Sequence, residues 1–111
     1  MAGAYQVTIS TPAQKDLKEI LLYLALEKGS VQSAKKVRQT ILDAVQGLSQ
    51  MPQRHSLVKE VFDKSGIAYR RVIAGKSYRI IYYVDEEASE VFVVRILHVK
   101  RSPDFIRNVI E

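Results

Sequence analysis

TPAQKDLKEILLYLALEKGSVQSAKKVRQTILDAVQGLSQMP, from Thr11 to Pro52, is the stretch on which the fold turns. Thr11 is placed to cap a helix. Pro12 follows at the first helical position, where its missing N–H costs nothing, and Gln14 falls where a capping box needs it. Leu17, Ile20, Leu21 and Leu24 then recur at helical spacing. Gly29 ends this helix because glycine takes the left-handed C′ conformation without a Cβ clash. Ser30 caps a second helix at once, with its stripe at Ala34, Val37, Ile41, Val45 and Leu48, and Pro52 closes it. Two helices joined by so few residues fold back as an antiparallel hairpin. Each has one apolar stripe, so the hairpin needs a second layer to cover it.

The rest of the chain supplies that layer. Upstream, Tyr5, Val7 and Ile9 alternate with polar residues, the period of a half-buried strand. Downstream, Leu57–Phe62, Ile67–Ile73, Ser77–Val84 and Val91–Leu97 read as strands separated by turns at Asp63–Gly66, Gly75–Lys76 and Asp85–Glu90. Connections this short favour antiparallel pairing in a meander. Ser102–Pro103 can open a short last helix. The expectation is one α+β domain over residues 1–111: an N-terminal strand, an antiparallel helical hairpin packed on a curved antiparallel sheet, and a short C-terminal helix. Its core should hold Leu17, Ile20, Leu24, Val37, Ile41, Val45, Ile80 and Val94.

With 111 residues and 47% apolar content, the chain can bury one core without staples. It has no cysteine, which removes disulfides, a thiol nucleophile and thiolate metal sites. No segment reads as a membrane span or an export signal, so a cytoplasmic protein is expected. The net charge is +5, and residues 54–79 carry seven basic side chains against Glu60 and Asp63, essentially the whole surplus. Such concentration suits an anionic partner, either nucleic acid or an acidic protein segment. A solubilising face would also account for it.

Four segments resemble the RelE/ParE toxin superfamily over nearly the full length. Val7-Thr8-Ile9-Ser10-Thr11-Pro12-Ala13-Gln14-Lys15-Asp16-Leu17 resembles its first strand and helix start. Leu48-Ser49-Gln50-Met51-Pro52 resembles the end of its second helix. Tyr69-Arg70-Arg71-Val72 with Tyr78-Arg79-Ile80-Ile81-Tyr82 resembles its central strands, and Val94-Arg95-Ile96-Leu97-His98-Val99-Lys100-Arg101 its last strand and basic exit. The resemblance implies the toxin of a type II toxin–antitoxin, or plasmid-stabilisation, system, bound and neutralised by a cognate antitoxin. The RelE-like branch cuts messenger RNA on the ribosome, whereas the ParE-like branch poisons DNA gyrase. The two-helix opening and the Ile96–Arg101 ending look closer to ParE. A nucleic-acid-binding module without toxicity is the third reading.

RNA cleavage needs a base, an acid and positive charge for the transition state, and no metal. In some RNA-cutting relatives these come from a central-strand arginine, a histidine after the last strand and an upstream glutamate. By that likeness Arg79, His98 and Glu60 are the candidate catalytic set of a metal-independent endoribonuclease. Strand parity groups Tyr78, Ile80, Tyr82 and Val84 on one face and Arg79, Ile81 and Tyr83 on the other. It sets Arg95 with Val91, Val93 and Leu97, and His98 with Phe92, Val94 and Ile96. Other RNA-cutting members use a lysine pair and a C-terminal tyrosine; Lys59 and Lys64 do not fit that pattern, and no tyrosine follows Tyr83. Arg70, Arg71, Lys100 and Arg101 are the candidate contacts to a target or nucleic acid, Arg70 and Arg71 on opposite faces. The tyrosines serve equally as sheet packing or as base-stacking platforms. His55 and His98 stand far apart without cysteine, and nothing points to a metal or cofactor. The five glycines are scattered, and no nucleophile elbow or metalloprotease motif occurs.

Overall fold

The computed structural model describes residues 4–58 and 66–100. The chain opens with β1 (Gln6–Ile9) and runs into α1 (Thr11–Leu22), whose last turn widens into a π turn at Tyr23–Glu27. After Gly29, at φ 64°, it enters α2 (Val31–Gly47), then a 3₁₀ turn at Pro52–Arg54. Three strands come next: β2 (Arg70–Ala74), β3 (Tyr78–Asp85) and β4 (Glu90–His98). The Leu57–Phe62 strand expected from the pattern is described only at its start, where Leu57 bridges Arg70. Its remainder, the adjoining turn as far as Ser65 and the Ser102–Pro103 helix lie outside the described residues. Among the described residues no helix is long and apolar enough to cross a membrane.

The caps explain the hairpin. Ser30 caps α2 as its sequence predicts, its hydroxyl accepting from the Ser33 N–H at 3.1 Å. At α1 the cap sits one residue earlier than expected. Ser10, not Thr11, accepts the Ala13 N–H at 3.2 Å, and the Gln14 amide donates to the Ile9 carbonyl at 2.8 Å instead of closing a capping box. Ser10 wins because its hydroxyl can also donate to the Val94 carbonyl at 3.1 Å, tying the helix start to β4.

The sheet order is β1-β4-β3-β2. β2, β3 and β4 form the expected antiparallel meander. β1 joins it in parallel to β4, Gln6 opposite Glu90 and Ile9 opposite Val93, so the sheet is mixed rather than wholly antiparallel. A parallel neighbour needs a long crossover, and the helical hairpin belongs to it. The helices cover one face, where Ala13, Ile41, Val45, Leu48, Ala74, Ile80, Tyr82, Val91, Val93 and Ile96 make the core. Leu17, Ile20 and Val37 pack against it, half-buried. Ile41 is fully buried, so Ile41→Ala should cost about 2–5 kcal/mol.

Two expected core residues lie elsewhere, each for a backbone reason. Leu24 sits in the π turn and is half-buried outside the core cluster. A π turn inserts an extra residue per turn and rotates the side chains beyond it off the helical stripe. Val94 is the extra residue of a β-bulge: Tyr82 pairs with Val93 and Ile81 with Arg95. A bulge breaks alternation. Val91, Val93 and Ile96 therefore share the helix-covered core, whereas Val94 and Leu97 join a second cluster with Val58, Ile81 and Tyr69 on the outer face. The parity that grouped Arg95 and Leu97 with Val91 and Val93, and His98 with Val94, fails at this point.

Candidate functional site

The outer face of the sheet gathers arginine and aromatic side chains. Arg71 pairs with Ile81, and Arg79 with Ile73 and Leu97. Ile81 and Leu97 belong to the outer cluster, so alternation places Arg71 and Arg79 on that side. They are diagonal neighbours across β2 and β3, close enough for long side chains to act on one ligand. Beside them Tyr69 meets Tyr83 edge-on at 5.9 Å, and Tyr83 stacks on Phe92 at 5.2 Å. The Arg71 guanidinium next to an aromatic row suits binding of a polyanion, whereas Nε and Nη1 of Arg79 are buried. Glu60, the candidate carboxylate, lies outside the described residues.

His98 is on the other side. It pairs with Tyr78 in the ladder, and its ring meets that of Tyr78 edge-on at 5.6 Å. Tyr78 packs on the helix-covered core. Strand alternation thus sets Arg79 and His98 on opposite faces, and the sheet does not bring them together. His98 Nδ1 accepts the Lys100 N–H at 3.1 Å, which leaves its other nitrogen to carry the proton in the neutral ring. Lys100 is exposed, and Arg101 lies outside the described residues.

Arg70 faces away from Arg71, as alternation requires. Its guanidinium donates to the His55 carbonyl at 2.6 Å, pinning the segment after the 3₁₀ turn to the edge of β2. Burial, helped by Arg54 and Arg70, lowers the pKa of His55 below its ordinary value. Nearby, the buried Tyr82 hydroxyl donates to the Pro52 carbonyl at 2.6 Å, and burial pushes its pKa up to about 12.

His98 lines a cleft of about 410 Å³ between α1 and the ends of β3 and β4, with Asp16, Glu19, Tyr23, Tyr78 and Arg95. Its anchor is an ion pair that sequence reasoning missed. Arg95 donates through Nε and Nη2 to the two carboxylate oxygens of Asp16, each at 2.7 Å. The Ile96 N–H donates to the same carboxylate at 3.0 Å. Asp16 is buried, and its hydrogen bonds hold the pKa of Arg95 above the ordinary arginine value. A signal was available: Asp16 sits on the buried stripe between Ala13 and Ile20, and a carboxylate there requires a buried cation. Burial raises the pKa of Tyr78, with a further push from Tyr23 nearby. Among the described residues no three His, Cys, Asp or Glu side chains are grouped to hold a metal.

The family model described as the ParE toxin of the type II toxin–antitoxin system, parDE, matches residues 7–103. No curated protein sequence matches the chain. Among solved structures, the chromosomal ParDE toxin–antitoxin system from P. aeruginosa includes a chain of similar fold. It has 20% identity and a TM-score of 0.66, over 87% of this chain and 98% of that one. The toxin–antitoxin complex RelBE2 from Mycobacterium tuberculosis matches at 21% identity and a TM-score of 0.57, over 91% and 98%. The archaeal RelE–RelB complex from Pyrococcus horikoshii matches at 19% and 0.55, over 89% and 99%. At these identities the structural matches speak for the fold alone.

Proposed function

This chain belongs to the ParE toxin family of type II toxin–antitoxin systems, and on that premise we propose that it inhibits DNA gyrase and is neutralised by a cognate antitoxin. The observation that carries the choice of target is the separation of Arg79 from His98. A ribonuclease of this kind needs its proton-transfer group and its phosphate clamp within reach of one scissile bond. Here the sheet itself stands between the two, with Tyr78 and His98 on the helix side and Arg79 paired to Leu97 on the other. The outer face suits holding an anionic surface, not transferring protons. Arg71, Arg79 and Lys100 are the proposed target contacts, joined from the sequence by Arg70 and Arg101. The solved systems of this fold from P. aeruginosa and M. tuberculosis are toxin–antitoxin systems, which supports an acidic protein partner for this basic chain. That partner would be encoded beside it.

Induction in cells separates the targets. Gyrase inhibition should raise a DNA-damage response and trap cleaved gyrase–DNA complexes while messages stay intact at early times. Arg71→Glu with Arg79→Glu should weaken the trapping and flatten its salt dependence. Truncated messages within minutes, abolished by His98→Ala or Arg79→Ala, would replace this reading with ribosome-dependent cleavage. Salt-sensitive nucleic-acid binding without growth arrest would point to a plain binding module.

A further inference from the structure

We propose that the cleft between α1 and the ends of β3 and β4 is a receptor for one basic side chain, arginine or lysine, presented by a protein partner. The proposal does not depend on which target the toxin attacks. Its first support is that two departures from regular backbone converge there. The π turn at Tyr23–Glu27 puts Tyr23, about half exposed at 51%, on the rim of the cleft. The bulge at Val94 shifts the register of β4 so that His98 lies against Tyr78 on the helix side, and Arg95, the next residue, binds Asp16 of α1. Regular helix and strand hydrogen bonding is the cheaper arrangement, and π turns and bulges concentrate where a side chain must be placed for use.

Charge decides the kind of ligand. Arg95 and Asp16 bind each other through two short hydrogen bonds, so as a pair they present little net charge. What remains is Glu19, which is exposed and, among the described residues, has no hydrogen bond or ion pair of its own. It faces Arg95 only through space. The chain as a whole is at +5, so this cleft is an acidic spot on a basic protein.

The walls add to that preference. Tyr23, Tyr78 and His98 offer aromatic faces, which attract ammonium and guanidinium groups. Tyr23 already draws the Lys28 ammonium to 5.7 Å from its ring centroid. Lys28 is exposed, so an incoming guanidinium can displace it. The volume accommodates such a head group with its methylene stem. An acidic side chain would meet the Glu19 carboxylate instead.

The test uses the whole protein and four small probes: the N-acetyl amides of arginine, lysine, glutamine and glutamate. Ring resonances of Tyr23, Tyr78 and His98 are followed by NMR as each is titrated. The arginine or lysine amide should shift all three rings, with a dissociation constant on the order of 1–10 mM. The glutamine amide should bind more weakly, and the glutamate amide should not bind. Glu19→Gln and Tyr23→Ala, both on the surface, should each weaken binding about fivefold without changing the melting temperature. The proposal is overturned if neither basic amide shifts the rings at about 50 mM, well above that weak limit. It is equally overturned if the glutamate amide binds as well as arginine, or if Glu19→Gln leaves the affinity unchanged. Gyrase trapping is measured separately, so either result can fail without the other.

Discussion

Removing Asp16 should loosen the joint between the helical hairpin and β4, and the cost can be worked out atom by atom. The Asp16 carboxylate accepts from Arg95 Nε and Nη2 at 2.7 Å each and from the Ile96 N–H at 3.0 Å. In Asp16→Ala the Ile96 N–H, at a residue only 1% exposed, loses its acceptor, which costs about 1–3 kcal/mol. The guanidinium loses its counter-charge, and breaking a fully buried pair costs about 3–5 kcal/mol. The Arg95 side chain is 21% exposed, so water recovers part of that loss. The expected total is about 3 kcal/mol, equivalent to a fall in melting temperature of roughly 10–15 °C for a domain of this size. Asp16→Asn keeps an acceptor for Ile96 and should lose about half as much. A double-mutant cycle with Arg95→Met, read by urea denaturation, should give a coupling energy above about 1 kcal/mol. A loss below about 0.5 kcal/mol in Asp16→Ala, or additive single mutants, would refute the claim that this pair fastens α1 to the sheet.

Three further outcomes rest on the same packing. Tyr82→Phe leaves the buried Pro52 carbonyl without its donor and should cost about 1–2 kcal/mol; because the folded pKa is raised to about 12, the stability owed to this phenol is whole below about pH 10 and is lost as pH climbs toward 12, and ultraviolet titration should show a tyrosine titrating near pH 12 that the variant lacks. His55 has a lowered folded pKa, so its contribution is whole above the unfolded value of about 6.5 and is lost as pH falls below it; denaturation across that range should show a shallower acid slope in His55→Gln. Gly75→Ala should cost about 1–2 kcal/mol by thermal melting, since Gly75 turns at φ +61° and a Cβ there would meet Thr40 Cγ2 at 3.3 Å; an unchanged melt would mean that the β2–β3 turn does not press on α2.

The hairpin and the meander were legible because their signals are local. Gly29, Ser30 and Pro52 punctuate the chain, and stripes at helical spacing and alternation do the rest. The parallel entry of β1 was not legible, because its pairing with β4 spans more than eighty residues and no short-range pattern encodes direction. Nor were the two irregularities. Tyr23-Leu24-Ala25-Leu26-Glu27 is as good a helix sequence as any, and Val93-Val94-Arg95-Ile96 carries no mark of an inserted residue. Each is imposed by tertiary contacts, and each moved a residue that simple periodicity had put in the core. The candidate site inherited the problem. Parity along β3 put Arg79 on the outer face, but only the ladder register puts His98 opposite Tyr78, and so the two apart. Asp16 was readable as a carboxylate on a buried stripe, and its partner Arg95 was not.

The pairing of β1 with β4 also orders events in time during synthesis. Residues near 6–9 cannot find their ladder until residues near 90–93 have left the ribosome, and Asp16 waits for Arg95. Contacts this distant along the chain form late. The α-hairpin can gather early, but the sheet can close only after nearly the whole described chain is made, so the outer face that carries Arg71 is the last part of the fold to be assembled.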